Sequence, residues 1–269
     1  MDFDFHQIAV PFRMQPGLAR LPEGTPQLHA LASGSDLARD KQAVLEAGRS
    51  RLMVPGFDPE PALAAIRRQA LADGIAATTL DSQPLELAIE EDLAVLDGRT
   101  GTLPWLCVCA PSHWAPEDKL GLDFMAVHAP VADAQVMLAA GQKLVALATS
   151  GQRWERFVWT ISPSPRHDQH PARAPQRQWP ETTDPQAFAR GCWLRTERQT
   201  FFPVGGDTRQ AVFTIRVQLA PLAEAAADPA RARRLHDSLA SMSAGVLDYK
   251  GLAAAVPRLL PWLLAQSDT

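Results

Sequence analysis

Lysine is almost missing from this sequence: Lys41, Lys119, Lys143 and Lys250 are the only four among 26 basic residues. Positive charge is therefore carried by arginine, the side chain suited to planar, bidentate contact with carboxylates and phosphates. Cysteine is scarce too. Cys107, Cys109 and Cys192 are an odd number with no CxxC spacing, which excludes a disulfide framework and leaves no thiolate metal signature. No run of 18 uncharged apolar residues occurs, so a transmembrane helix is excluded. The opening MDFDFHQIAVPFRM lacks the basic start and apolar core of a signal peptide, and a cytoplasmic location is expected. Glycine-rich phosphate loops, HExxH and GxSxG are all absent, as is any zinc spacing among the seven histidines. A formal charge of -4 gives no global attraction to nucleic acid or an anionic membrane.

What is present is an ordinary globular composition, 46% hydrophobic and 21% charged, in 269 residues that can bury a substantial core. Helices are expected at about Leu37–Leu52, across DPEPALAAIRRQALADG, and across PLELAIEEDLAVLDG, where Leu85, Ile89, Leu93 and Leu96 recur at helical spacing. Asp58 should cap the second of these and Gly74 end it. TLPWLCVCAPS then changes period and predicts a strand ended by Pro111 and Ser112, with Cys107 and Cys109 on one face. MAVHAPV is expected to be extended, and Asp133 to cap a helix over VMLAAGQKLVALATSG.

GQRWERFVWTISPSP is a strand in which Arg156, Val158 and Thr160 share one parity. The 162–187 segment is rich in Pro, Gln and Arg and should be a loop. CWLRTERQTFF and AVFTIRVQLAPL, joined by GGDTR, predict an antiparallel hairpin. Helices follow, with Pro229 near one N-terminus and Pro257 and Pro261 inside the last. Helices, then a sheet, then helices, without βαβ alternation, indicate an α+β fold with an antiparallel sheet in one domain over 1–269.

The candidate chemistry lies in isolated polar residues. His113 ends the Cys107–Cys109 strand, and His128 sits between Val127 and Ala129. A histidine that donates one ring nitrogen to a carbonyl and keeps the other free suits an axial haem ligand or a general base. It equally suits a hydrogen-bonded core residue. In the hairpin, Arg195 and Glu197 face one way and Arg198 the other, while Arg216 shares a face with Val212 and Thr214. Three readings are open for these charges: a solvated face, an ion-pair network in which Glu197 serves an arginine, or a clamp for propionates or a phosphate.

The chain resembles the haem-dependent oxidative N-demethylase-like family. The resemblance rests on PFRM at Pro11–Met14, EEDLAVL at Glu90–Leu96, and WLCVCAPSHWAPEDKLG with VHAPV across Trp105–Val131. RWERFVWTIS, RTERQTFFPV, AVFTIRVQLAPL and LDYKG continue it in order over most of the chain. After ERQT, this chain reads FFPVGGDTR in place of an RLP-like run. The resemblance implies a PAS-like antiparallel sheet surrounded by helices and a haem b cofactor. It implies oxidation of a small secondary amine such as dimethylamine by oxygen. It also implies flavin, iron–sulfur and tetrahydrofolate-binding partner subunits. By the same resemblance, His128 is the first choice for iron ligand and His113 the second. Arg195, Arg198 and Arg216 are the propionate candidates, and Glu197 orients one of them or faces the amine. A non-catalytic haem or small-ligand sensor, and a structural subunit of an oxidoreductase complex, are the alternatives.

Overall fold

The fold is built around the hairpin that the sequence announces. In the computed structural model, which describes residues 3–174 and 178–268, strands β6 (Trp193–Pro203) and β7 (Gln210–Pro221) pair antiparallel, with Glu197 opposite Val217 and Phe201 opposite Phe213. The turn between them needs positive φ at Gly205 (92°) and Gly206 (60°), a conformation that costs glycine nothing. Thr208 Oγ1 donates to the Gly205 carbonyl at 2.7 Å and closes it.

Five more strands complete the sheet: β1 (Ala19–Arg20), β2 (Arg51–Met53), β3 (Asp92–Asp97), β4 (Trp105–Cys107) and β5 (Trp154–Ser162). The order is β1-β5-β6-β7-β3-β4-β2 and every neighbouring pair is antiparallel. This is an open α+β architecture flanked by N- and C-terminal helices, as the element pattern predicts.

One sheet face carries two apolar ends and a polar middle, and β6 shows why. Leu194 and Phe202 lie at the ends of its even-numbered side, with Thr196, Arg198 and Thr200 between them. At the Leu194 end, Ile161, Leu194 and Ala220 pack under Leu235, Leu239, Leu259 and Trp262 of the Pro229–Ala240 and Val256–Ser267 helices. At the Phe202 end, Phe202, Val212, Leu93 and Val95 pack under Ala62, Ala65, Ile66 and Ala70 of the Glu60–Ala72 helix. Each fully buried leucine or isoleucine stabilises by about 1.5–3 kcal/mol. In the middle band, Thr200 and Thr214 share a hydrogen at 2.7 Å, and Gln27 Nε2 donates to Thr200 Oγ1 at 2.9 Å.

Several local expectations change. The first helix is Asp36–Glu46; Gly48, at φ 66°, turns the chain and Arg51–Met53 becomes edge strand β2. The LELAIEEDLAVLD pattern is one helical turn, Leu85–Ala88, followed by central strand β3, whose first five residues are all buried. Burial on both faces gives a continuous apolar run, which helical spacing imitates. MAVHAPV is helical, not extended, because Asp123 caps a Phe124–His128 helix by accepting from the Ala126 N–H at 2.8 Å. Asp133 caps nothing: its carboxylate accepts from Ser243 Oγ at 2.6 Å, and two short helices, Gln135–Ala139 and Gly141–Ala148, follow. Asp58 is not the cap of the Glu60–Ala72 helix: Pro59 holds that position without a side-chain cap, and Asp58 Oδ1 accepts from the Glu60 N–H at 3.0 Å just before it. The 162–187 segment runs into a Pro185–Arg190 helix and docks through His167 and Asp168 N–H groups on Asp40; residues 175–177 lie outside the described part. Among the described residues no helix is long and apolar enough to cross a membrane.

Candidate functional site

The other sheet face floors a cavity of about 590 Å³, within the roughly 300–1,000 Å³ typical of cofactor sites. Alternation puts Arg156, Val158 and Thr160 of β5 beside Gln199, Glu197 and Arg195 of β6, in that pairing order. Phe213 and Ile215 of β7, Ala94 and Leu96 of β3, and Leu106 of β4 continue the floor. The roof comes from the 112–115 loop, the Phe124–His128 helix, the Gly141–Ala148 helix and the Tyr249–Lys250 end of the Ala244–Tyr249 helix.

His128 lines this cavity from the last position of its short helix. Its Nδ1 lies 2.8 Å from the Phe124 carbonyl oxygen, which only accepts, so Nδ1 carries the proton. Nε2 then holds a lone pair, and it has no hydrogen-bond partner among the described residues. The Phe124 ring lies 4.1 Å from the imidazole, centroid to centroid, and fixes its plane. Burial, opposed by the Phe124 hydrogen bond and reinforced by the Arg156 charge, lowers the His128 pKa and keeps the ring neutral at pH 7.

His113 also lines the cavity, at a backbone φ of 59° that residues with a Cβ seldom adopt. Its loop is pinned from below. Arg195 Nε donates to Ser112 Oγ at 2.7 Å and Nη2 donates to the Ala110 carbonyl at 2.9 Å, while the Gln169 N–H donates to the Pro111 carbonyl. Desolvation first, and the Arg195 charge second, push the His113 pKa down.

Glu197 stands at the centre of the floor. Ser112 Oγ donates to its Oε1, and Gln199 Nε2 donates to Oε2 at 2.7 Å. Arg195, Ser112 and Glu197 thus form a chain in which the hydroxyl passes the guanidinium's influence to the carboxylate. Arg195 itself is 1% exposed and gives its hydrogens to neutral oxygens, the third being the Arg166 carbonyl at 3.3 Å. Burial lowers its pKa to about 10, offset in part by Glu197.

Arg198 and Arg216 do not line this cavity. They lie opposite one another on the other sheet face. Arg198 Nε meets Glu155 Oε2 at 3.1 Å and its Nη1 donates to the Pro26 carbonyl; Arg216 Nε meets Glu90 Oε2 at 2.6 Å. Those two arginines belong to an ion-pair network, and Glu197 serves neither of them. Among the cavity's cations that sequence reasoning passed over, two stand near Glu197. Arg156 is one, and its buried Nε has no hydrogen-bond partner among the described residues. Lys250 is the other: its Nζ donates to the Trp159 carbonyl at 2.8 Å and lies 5.5 Å from the Phe12 ring centroid. The parity of Arg156 with Val158 and Thr160 was the available signal for the first. The scarcity of lysine was a faint one for the second.

Cys107, Cys109 and Cys192 are buried free thiols, and burial pushes each pKa up, to about 12 for Cys192. They are inert packing groups. Among the described residues no three His, Cys, Asp or Glu side chains gather as a metal site. A haem does not require one, since its ring holds the iron and the protein adds one axial ligand. The donor set fits that demand: one neutral imidazole with a fixed tautomer, apolar side chains in both floor and roof for the ring, and basic side chains for carboxylates.

The family model described as haem-dependent oxidative N-demethylase, alpha subunit-like, matches residues 69–260. That span runs from the Glu60–Ala72 helix to the Val256–Ser267 helix and includes every floor strand named above. The chain belongs to this family.

Proposed function

We propose that the chain is a haem b-dependent oxidative N-demethylase-like oxidoreductase acting on a small secondary amine such as dimethylamine. In this reading it forms one PAS-like domain over 1–269. The observation that carries it is His128, a neutral imidazole with its Nδ1 proton committed to Phe124 and its Nε2 facing no protein partner, on the wall of a cofactor-sized cavity. His128 would hold the haem iron through Nε2, with His113 the second choice. Bound haem supplies oxygen activation for oxidation of a methyl C–H bond, with electrons delivered by a separate flavin or iron–sulfur subunit.

Glu197 recognises the amine. Each carboxylate oxygen offers two lone pairs, and Ser112 and Gln199 use one apiece, so Oε1 and Oε2 each keep one for an ammonium N–H. In this reading Oε2 accepts a hydrogen bond from the ammonium and holds it beside the apolar wall. Ser112 and Gln199 hold the carboxylate in one rotamer, which is the positioning that such a contact needs. Leu96, Leu106, Phe213 and Ile215 supply an apolar surface for the methyl groups and keep water away.

The test is a ferric haem titration of the purified chain, followed by dithionite and carbon monoxide, then assay of amine-dependent formaldehyde release with a supplied reductant. A Soret band that shifts with carbon monoxide and amine-dependent formaldehyde supports the reading. A haem complex with no amine-dependent turnover would make the chain a haem sensor, and absence of any haem complex would sink the proposal. Glu197→Gln should keep the Soret band and lose about 100-fold or more in kcat/KM for the amine.

A further inference from the structure

The cavity is more basic than a site for a cationic amine should be. Four basic side chains line it, Arg156, Arg195, Lys250 and Lys119, against two acidic ones, Glu197 and Asp118. Lys119 and Asp118 sit together in the 116–119 turn, and Lys119 Nζ donates to the Val127 carbonyl. Arg195 is committed to Ser112, Arg166 and Ala110. None of the four cations has a carboxylate within ion-pairing distance among the described residues, and of the four only Arg156 keeps a buried nitrogen with no hydrogen-bond partner there, while Lys250 meets one carbonyl. A guanidinium with a buried, unpartnered Nε is costly to maintain unless something anionic meets it. Lys250 shows the same strain, with burial lowering its pKa to about 8.

From this geometry we infer that Arg156 and Lys250 form a carboxylate-binding subsite of the cavity, next to Glu197. Arg156 lies directly across from Gln199 in the β5–β6 register, so it is a diagonal neighbour of Glu197 on the same face. Such neighbours are about 7–8 Å apart between Cα atoms. A ligand that bridges the two therefore carries an anion at one end and meets Glu197 with a cation or a hydrogen-bond donor at the other. Two sources have this carboxylate. One is the pair of haem propionates, and only that source depends on the haem proposal. The other is the substrate itself, an N-methylated amino acid, whose secondary ammonium would face Glu197 while its carboxylate met Arg156. Either source sets a carboxylate against Arg156, although the zwitterionic amino acid adds no net charge to the cavity.

The experiment compares ferric haem with haem dimethyl ester, in which both propionates are esterified, and N-methylglycine with dimethylamine. Affinities are read by absorbance titration for the haems and by calorimetry for the amines, on the wild-type chain, Arg156→Met, Lys250→Met and Arg156→Lys. Loss of one charge-assisted contact corresponds to about tenfold in affinity or more. If propionates occupy the subsite, wild type prefers haem to its diester by about tenfold or more. Arg156→Met abolishes that preference and Arg156→Lys retains part of it. If the substrate occupies it, haem and diester bind alike. N-methylglycine then binds wild type more tightly than dimethylamine does and loses about tenfold in Arg156→Met. The inference is overturned if wild type discriminates neither pair, a result that needs no variant to fold. Failure of haem to bind, with Arg156-dependent binding of N-methylglycine, would sink the haem reading and leave the subsite standing.

Discussion

The two faces of the β5–β6–β7 sheet treat arginine in opposite ways. On the helix-covered face, Arg198 and Arg216 sit opposite each other and are each neutralised, by Glu155 and Glu90. On the cavity face, Arg156 and Arg195 find only neutral oxygens or nothing. The residue type is the same and β6 contributes one arginine to each face, so the difference lies in what each face was built to meet. A face closed by helices must satisfy its charges internally, because a stranded ion there costs several kcal/mol. A face that opens on a cavity can leave charge unmet for a ligand to satisfy. Unpaired and paired arginines thus separate function from architecture more sharply than the mere presence of arginine does.

The contrast yields ordered expectations. The largest effect belongs to the cavity face: His128→Ala should weaken haem binding by about 100-fold or more while shifting the melting temperature by less than about 4 °C. Absorbance titration and thermal melts check both. An unchanged Soret band would move the axial ligand to His113. Next, Arg216→Ala should cost about 1–3 kcal/mol in urea denaturation because it strands Glu90, whose Oε2 meets Arg216 Nε at 2.6 Å. Its haem affinity should equal that of wild type. Arg156→Met should reverse the pattern, losing ligand affinity with no loss of stability. If Arg216→Ala weakened haem retention instead, the division between the faces would be wrong.

A smaller effect lies in the polar middle of the helix-covered face. Thr200→Val should cost about 1–2 kcal/mol by leaving Thr214 and Gln27 short of a partner. Thr200→Val with Thr214→Val should cost less than the sum of the two single changes, measured as a double-mutant cycle. Additive costs would mean that the two hydroxyls do not depend on each other. The smallest effect is a pH dependence. Lys250 has a folded-state pKa of about 8 against an ordinary value of 10.5. Between those values the unfolded chain binds more protons, so ligand-free stability should rise from pH 8 to 10 relative to Lys250→Met. Parallel stability curves for the two proteins would contradict a desolvated Lys250.

Much of this was legible in the sequence. The β6–β7 hairpin, strand β5 and the Glu60–Ala72 helix follow from alternation, turn chemistry and capping, because each signal is local. Strand β3 was misread because a strand buried on both faces has no alternation to display. Phe124–His128 was misread because the Asp123 cap was overlooked. At the site, His113, His128, Arg195 and Glu197 converge on one cavity, whereas Arg198 and Arg216 fall on the opposite side. Parity along β6 already separates Arg195 from Arg198. Which parity faces a cavity depends on where the helices dock, and no local pattern carries that. Arg156 enters the site only through the β5–β6 register, and Lys250 only through the packing of the C-terminal helices.

The most direct test of the central claim is a titration of the purified chain with ferric haem, followed in the Soret region, for wild type, His128→Ala and Arg216→Ala side by side. The account predicts a stoichiometric complex for wild type and for Arg216→Ala, and none for His128→Ala. Equal binding by all three, or by none, would contradict it.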